Sequence, residues 1–424
     1  MFIQKKFQAI LFSALALSLC SSYAQEDTTH QATAYHRDMY QNYEHKEFDL
    51  GGEPSRFAWR EMPGLFPHTT IFHNHTRKLP IALTPAIKEW TVTADNKPIK
   101  FDDYVSQDSR IDSVIIIHNG KIVYQRYKTL SPLERHLTWS VTKVITASAL
   151  ARLEEMGKVD MQAPVKKYLA DFASSVWGDI KLQDVIDMAS GINCRDGDGY
   201  QNTQACVYRA EETYGVVPQV RANLSKAREY LKSMKAHRNP GEATEYSSSN
   251  TNIASLVIEE ITQKPLARAI SDLVWQPMGA EADGLMLVNQ YGEAYASGGI
   301  SARMSDIARF GLMYLDNQGW GQLGSAHLDF LKNSPRPIFT DERKQELEQL
   351  FDGDAPLHSR WQWDLIWEDG DMFKSGYSGQ GLYISPSNNM VMAWFGTDDT
   401  NFNTHNLLPL SRKLSKAKLL TTKK

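Results

Sequence analysis

A hydroxyl and an amine stand three residues apart in Ser140-Val141-Thr142-Lys143, at the start of an apolar-periodic run. If residues 140–156 are helical, this spacing stacks the two side chains on one face, within mutual reach. A serine hydroxyl is a weak nucleophile at neutral pH and needs an adjacent base. A lysine serves as that base only if burial lowers its pKa, and Val141, Ile145, Leu150 and Leu153 could supply the burial. The helix N-terminus would add a positive potential that favours an alkoxide at Ser140. The four-residue pattern is common by chance, and its bland reading is a serine near an N-cap with a solvated lysine one turn on.

Such a pair needs rigid elements to hold it. The β-branched run Ile111 to His118, the turn Asn119-Gly120 and Ile122-Val123-Tyr124 read as a β-hairpin. Helices are expected over 140–156, ended by Gly157, over 180–189, over 252–262 and over 305–316. Strands return at Gly381–Ser385 and Met390–Phe395, separated by the turn Asn388-Asn389. Strands at both chain ends around a helical middle imply an α/β (α+β) fold. Its antiparallel sheet would be drawn from both ends and flanked by helices, beside a mostly helical subdomain.

The chain has 424 residues, 42% of them hydrophobic, and a formal net charge of −4, enough apolar material for a large core. No basic run or patch argues for nucleic acid. Lys5 and Lys6, the apolar stretch Ala9–Cys20 and Ser22-Tyr23-Ala24 have the form of a cleaved secretory signal over 1–24, with Gln25 as the mature N-terminus. Leu19 ahead of Cys20 speaks against a lipoprotein site. A secreted or periplasmic location is expected, with no transmembrane span. Residues 25–50 read as a mobile, aperiodic leader, 51–110 as an irregular extension broken by Pro63, Pro67, Pro80 and Pro85, and 111–415 as the main domain. After cleavage only Cys194 and Cys206 remain. In an oxidising compartment they could form a disulfide, the alternative being two unrelated thiols.

The order of segments resembles the serine β-lactamase/penicillin-binding superfamily, in its class C-like branch. The resemblance runs from the hairpin through Trp139-Ser140-Val141-Thr142-Lys143, Gly157 to Val165 and Val185 to Gly191. It continues through Tyr246-Ser247-Ser248, Glu259 to Pro265, and Ser297 to Ala302 with Asp306 to Gly311. It implies that Ser140 attacks a carbonyl to form an acyl-enzyme, with Lys143 as base and Tyr246 shuttling the proton. For that role the phenol of Tyr246 is expected to have a lowered pKa, through a nearby ammonium. Backbone N–H groups of Ser140 and of the strand near Ser378 would form the oxyanion hole.

The chain departs from the family in two places. Ser248 stands where Tyr-x-Asn has its amide, and Tyr-x-Ser is similar to the 6-aminohexanoate-dimer hydrolase and carboxylesterase branch. The third motif, usually Lys-Thr-Gly, can be aligned with Lys374-Ser375-Gly376. It can also be aligned with Gly376-Tyr377-Ser378-Gly379-Gln380, similar to the branch's Gly-His-Gly-Gly-Gln, and this second alignment is preferred. A cationic Lys374 in the pocket would favour carboxylate-bearing substrates such as β-lactams.

Other features carry less. His73-x-His75 has no ligand cluster behind it, no cofactor or metal is called for, and Asp196-Gly197-Asp198-Gly199 reads as a polar turn. Trp139 reads as core packing rather than a substrate platform. No G-x-S-x-G elbow occurs. The expected function is a serine hydrolase, monomeric or weakly dimeric, acting on a small linear amide or carboxylester. The alternatives are a class C-type β-lactamase or D-alanyl-D-alanine carboxypeptidase, and a non-catalytic cell-wall-binding or sensor domain.

Overall fold

A computed structural model describes residues 29–94, 97–315, 319–334, 339, 341–399 and 407–420. The signal segment expected at 1–24, with Cys20, lies outside the described residues. The chain divides into two compact units, 1–44 and 45–424. In the first, residues Thr29–Asn42 are a helix, where the sequence reading expected an aperiodic leader.

The second unit is built on a seven-stranded antiparallel sheet. Its strands in chain order are β1 (Ile111–His118), β2 (Lys121–Tyr127), β3 (His358–Arg360), β4 (Trp363–Ile366), β5 (Met372–Gly376), β6 (Gln380–Ser385) and β7 (Met390–Gly396). Their spatial order is β2-β1-β7-β6-β5-β4-β3, so the sheet is drawn from both parts of the chain, as the alternation of the sequence implies. Strand side chains alternate between faces. Ile115, Ile117, Leu382, Ile384, Val391 and Ala393 therefore enter one core, which they share with the helices α1 (Val141–Glu155), α2 (Ser248–Thr262) and α3 (Met304–Leu312). Val114, Ile116, Tyr383, Met392 and Trp394 enter a second core with Phe101, Val105 and the helix α4 (Leu407–Lys416). Both faces are covered, which explains why β1 is buried almost throughout rather than on alternate residues.

The helices expected at 180–189 and 305–316 are shorter, Leu182–Ile186 and Met304–Leu312, and that at 252–262 starts earlier, at Ser248. Residues 51–110 are more regular than their prolines imply. They hold a helix at Gly52–Arg60, a hairpin of Thr91–Ala94 with Lys97–Lys100, and a helix at Phe101–Gln107. Among the described residues no helix is long and apolar enough to cross a membrane.

Candidate active site

The chain enters α1 from a short strand, His136–Leu137, paired antiparallel with Ile300–Ala302. Thr138 donates its N–H to Ile300, and Trp139 then takes a left-handed conformation, φ 47°, uncommon for a bulky residue. This sharp turn delivers Ser140 to the N-cap of α1, partly exposed. One turn on, Lys143 is 1% exposed, and its Nζ donates to Ser140 Oγ and to the carbonyl of Ser297, each at 2.9 Å.

Tyr246 closes the group from the residue pair ahead of α2. Its hydroxyl is within hydrogen-bonding reach of Ser140, and Lys143 Nζ lies 5.2 Å from its ring centroid. On its other side Lys374 Nζ, from β5, donates to the phenol oxygen at 2.9 Å and sits 4.5 Å from the same centroid. Lys374 is held in turn by Asp364 of β4 at 2.5 Å, and Asp364 also receives the N–H of Ser375 at 2.7 Å. The end of β5 approaches the nucleophile's own segment so closely that a Cβ on Gly376 would lie 2.7 Å from the carbonyl of Thr138.

Burial sets the proton affinities. It drives the Lys143 pKa down to about 8, helped by the charge of Lys374 and opposed by Asp196, Glu211 and Asp364. A substantial neutral fraction is thus present near neutral pH, as a base requires. Burial also lowers Lys374, against the pull of Asp364. Tyr246 moves opposite to the sequence expectation. Burial, with the carboxylates of Asp364 and Asp196, pushes its pKa well above 10, so it is a neutral phenol rather than a phenolate.

A cleft with about 340 Å³ of free space, part of it open to solvent, adjoins Ser140. Its walls are Trp139, Tyr200, Tyr295, Tyr377, Val216 and Val217, with the carboxyls of Asp49 and Glu211. Glu211 is 1% exposed, and burial, reinforced by Asp196 and opposed by a hydrogen bond with Tyr295, raises its pKa.

The sequence profile of the Beta-lactamase family matches residues 101–413. The chain belongs to the β-lactamase family. Among its relatives, 6-aminohexanoate-dimer hydrolase of Paenarthrobacter ureafaciens is 25% identical over 363 residues, 80% of this chain and 87% of that one. PbpX of Bacillus subtilis strain 168, provisionally described as a penicillin-binding protein, is 24% identical over 310 residues, 70% of this chain and 68% of that one. A solved structure from Bacillus anthracis, provisionally described as a 6-aminohexanoate-dimer hydrolase, superposes with a TM-score of 0.75 at 22% identity, covering 88% of this chain and 97% of that one. That likeness fixes the β-lactamase/transpeptidase-like fold.

Within this β-lactamase-family fold, the structure brings Ser140, Lys143, Tyr246 and Lys374 into one cluster, of which Ser140 lines the cleft. Of the two alignments of the third motif, Lys374-Ser375-Gly376 lies in the strand beside Tyr246, while Gly376-Tyr377-Ser378-Gly379-Gln380 runs from the end of that strand through the turn and brings Tyr377 to the cleft. Lys374 and Gly376 lie in β5, whereas Ser378 and Gly379 form the turn that follows, with φ 59° and 108°. Ser378 Oγ donates to the carbonyl of Asp398, and Gln380 Nε2 to that of Gly396 at 2.7 Å, so both spend their polar groups holding the turn. Tyr377 contributes its ring to the cleft, 5.3 Å from Trp139. Trp139, 6% exposed, packs on Trp59 and Phe48 while one side of it lines the cleft, so it is both core and wall.

Ser248 turns its polar groups to Asp196. Its N–H and hydroxyl bind the carboxylate of Asp196 at 2.8 and 2.5 Å, and Tyr200 OH adds a third bond at 2.9 Å. Asp196 is therefore more than a polar turn: it is a buried buttress that also donates its own N–H to the carbonyl of Tyr246. Cys194 and Cys206 are disulfide-bonded, Cα–Cα 5.0 Å, beside this loop. His73 pairs with Asp283 on the surface, and no cluster of His, Cys, Asp and Glu suited to a metal occurs among the described residues. Sequence reasoning missed Asp364, Glu211, Tyr200, Tyr295 and Asp49, none of which carries a local motif. The one available cue was a cluster of charged residues close to Tyr200.

Proposed function

We propose that this member of the β-lactamase family is a serine hydrolase that cleaves a small linear amide or carboxylester through an acyl-enzyme. The observation that carries the reading is the convergence of Ser140 Oγ, Lys143 Nζ and the Tyr246 hydroxyl. The neutral Lys143 amine takes the Ser140 proton as Oγ bonds to the carbonyl carbon. The oxyanion forms against the backbone N–H groups of Ser140 and Tyr377, at the start of α1 and the end of β5. Such donors contribute about 3–4 kcal/mol each. As the tetrahedral intermediate collapses, Tyr246 passes its proton to the leaving nitrogen or oxygen and is reprotonated from Lys143. Water then repeats the sequence on the acyl carbon, with the same groups returning their protons. Because the phenol is neutral, Tyr246 works as a relay and Lys143 is the resident base.

Glu211 favours the linear amide. An ammonium on the acyl half of a substrate would meet aromatic walls and a buried carboxyl, and would draw that carboxyl into its ionised form. A substrate carboxylate would gain no ionic partner from it. Lys374 could attract one, but its charge is already paired with Asp364. The leading segment 1–24 supports export to the periplasm or outside the cell.

A fluorophosphonate probe should label the purified protein stoichiometrically and fail to label Ser140→Ala. Turnover of short p-nitrophenyl esters and of a linear amine-terminated amide dimer is expected. Nitrocefin hydrolysis without either would overturn the substrate class, and probe labelling retained in Ser140→Ala would overturn the mechanism.

A further inference from the structure

The family match begins at residue 101, yet the cleft beside Ser140 has a wall from far upstream. Asp49 lines that cleft, 6% exposed, and the segment around it is fastened at every residue that faces inward. Tyr377 OH donates to the carbonyl of Asp49 at 2.7 Å, and Gln201 Nε2 reaches Asp49 Oδ2 at 3.4 Å. Phe48, fully buried, lies 5.3 Å from the Trp139 ring and 4.6 Å from Phe66, and its carbonyl accepts from Trp59 Nε1 at 2.7 Å. The ring of His45 lies beside the backbone of Gly215 and of the cleft residue Val216. Gly51 then passes so close to the opposite side, with φ 75°, that a Cβ there would lie 2.3 Å from the carbonyl of Asp398. Asp398 is itself bonded through its N–H to Ser378 at 2.9 Å.

These ties run to both banks of the cleft: to the 200–217 loop on one side and to the turn after β5 on the other. A segment tied to both banks closes the cleft at that end and fixes its depth. Hydrophobic chains gain free energy per methylene buried only while space remains, and a backbone held by aromatic packing does not yield to a longer one.

We infer that residues 45–51 form a specificity-determining strap that closes the acyl end of the cleft, with Asp49 setting the longest acyl chain accepted at Ser140. The inference rests on the proposed Ser140 hydrolase reading, and it places a determinant of selectivity outside the residues matched to the family.

The test is kcat/KM for full-length protein across p-nitrophenyl esters of increasing acyl length. Wild type should decline sharply beyond a certain length. Asp49→Ala removes the stop and should extend the accepted chain, raising the preference for a chain two methylenes past the wild-type limit by at least about tenfold. Asp49→Asn, of the same size, should keep the wild-type limit. Gln201→Ala, at an exposed position, lets the Asp49 side chain swing and should shift the profile in the same direction as Asp49→Ala by a smaller factor, which keeps the inference testable if Asp49→Ala fails to fold. An unchanged length profile in folded Asp49→Ala or, failing that, in Gln201→Ala overturns the strap, while ester turnover abolished in Ser140→Ala leaves the hydrolase reading standing. A limit that moves equally in Asp49→Asn also overturns it, because charge rather than reach would then be the determinant.

Discussion

Replacing Lys374 by methionine should move the acid limb of activity upward. Lys143 must be neutral to accept the Ser140 proton, so kcat/KM rises with pH through its pKa, which burial and the charge of Lys374 hold down to about 8. The two lysine nitrogens flank one ring, 5.2 and 4.5 Å from its centroid, so they are within about 10 Å of each other. At an effective dielectric of about 20, unit charges roughly 8–10 Å apart repel by roughly 2 kcal/mol. That corresponds to a little over one pKa unit. The sign follows directly. Without the Lys374 charge the protonated Lys143 is less disfavoured, its pKa rises, and the neutral fraction at pH 7 falls about tenfold. Lys374→Met should therefore lose about an order of magnitude in kcat/KM at pH 7 and recover part of it above pH 9, with its limb about one unit higher. Lys374→Arg retains the charge and should keep the wild-type limb even if its rate is lower. The assay is a pH profile of ester turnover for the three proteins. A limb unmoved in Lys374→Met, or one displaced to lower pH, would refute the assignment of Lys143 as base.

Further outcomes follow from the same geometry. Tyr246→Phe keeps the ring between the two lysines but removes the relay, and kcat should fall by about 10²–10⁴ in steady-state turnover while the fold, read by circular dichroism, is unchanged. Glu211→Gln should lower kcat/KM for an amine-terminated linear amide by about 10–100-fold relative to an uncharged isostere, the range of a charge-assisted hydrogen bond; equal losses on both substrates would contradict the ammonium reading. Cys194→Ser opens a short loop, for which the expected destabilisation is about 3 kcal/mol, measurable by denaturant titration. Activity should fall as well, since the loop carries Asp196 and so steadies Tyr246.

Much of this was legible in the sequence because it is local. The hairpin of β1 and β2, the helix after Ser140 and the strands β6 and β7 announce themselves by period and turn residues within a dozen positions. The nucleophile and base are one helical turn apart, so their meeting requires nothing beyond α1. The third motif left two overlapping readings of 374–380 because where the strand ends is set by pairing with β4 and β6, not by the local residues. The Tyr246 pKa went the other way because a phenol responds to all neighbours. Asp364 and Asp196 arrive from distant segments, and burial outweighs the ammoniums. Residues 45–51 carry no pattern at all, since what fixes them are rings and side-chain donors contributed by positions 59, 66, 139 and 377.

The two ends of the chain meet in the sheet at β1 and β7, which pair from Met390 with His118 to Gly396 with Ile111. Contacts of such long sequence separation form late, and until they do nothing fastens β5 beside the nucleophile. On the proposed hydrolase reading, a chain clipped before Met390 would therefore keep Ser140 and Lys143 one turn apart yet lack the strand on which the pairing of β5 rests, and should not turn over ester.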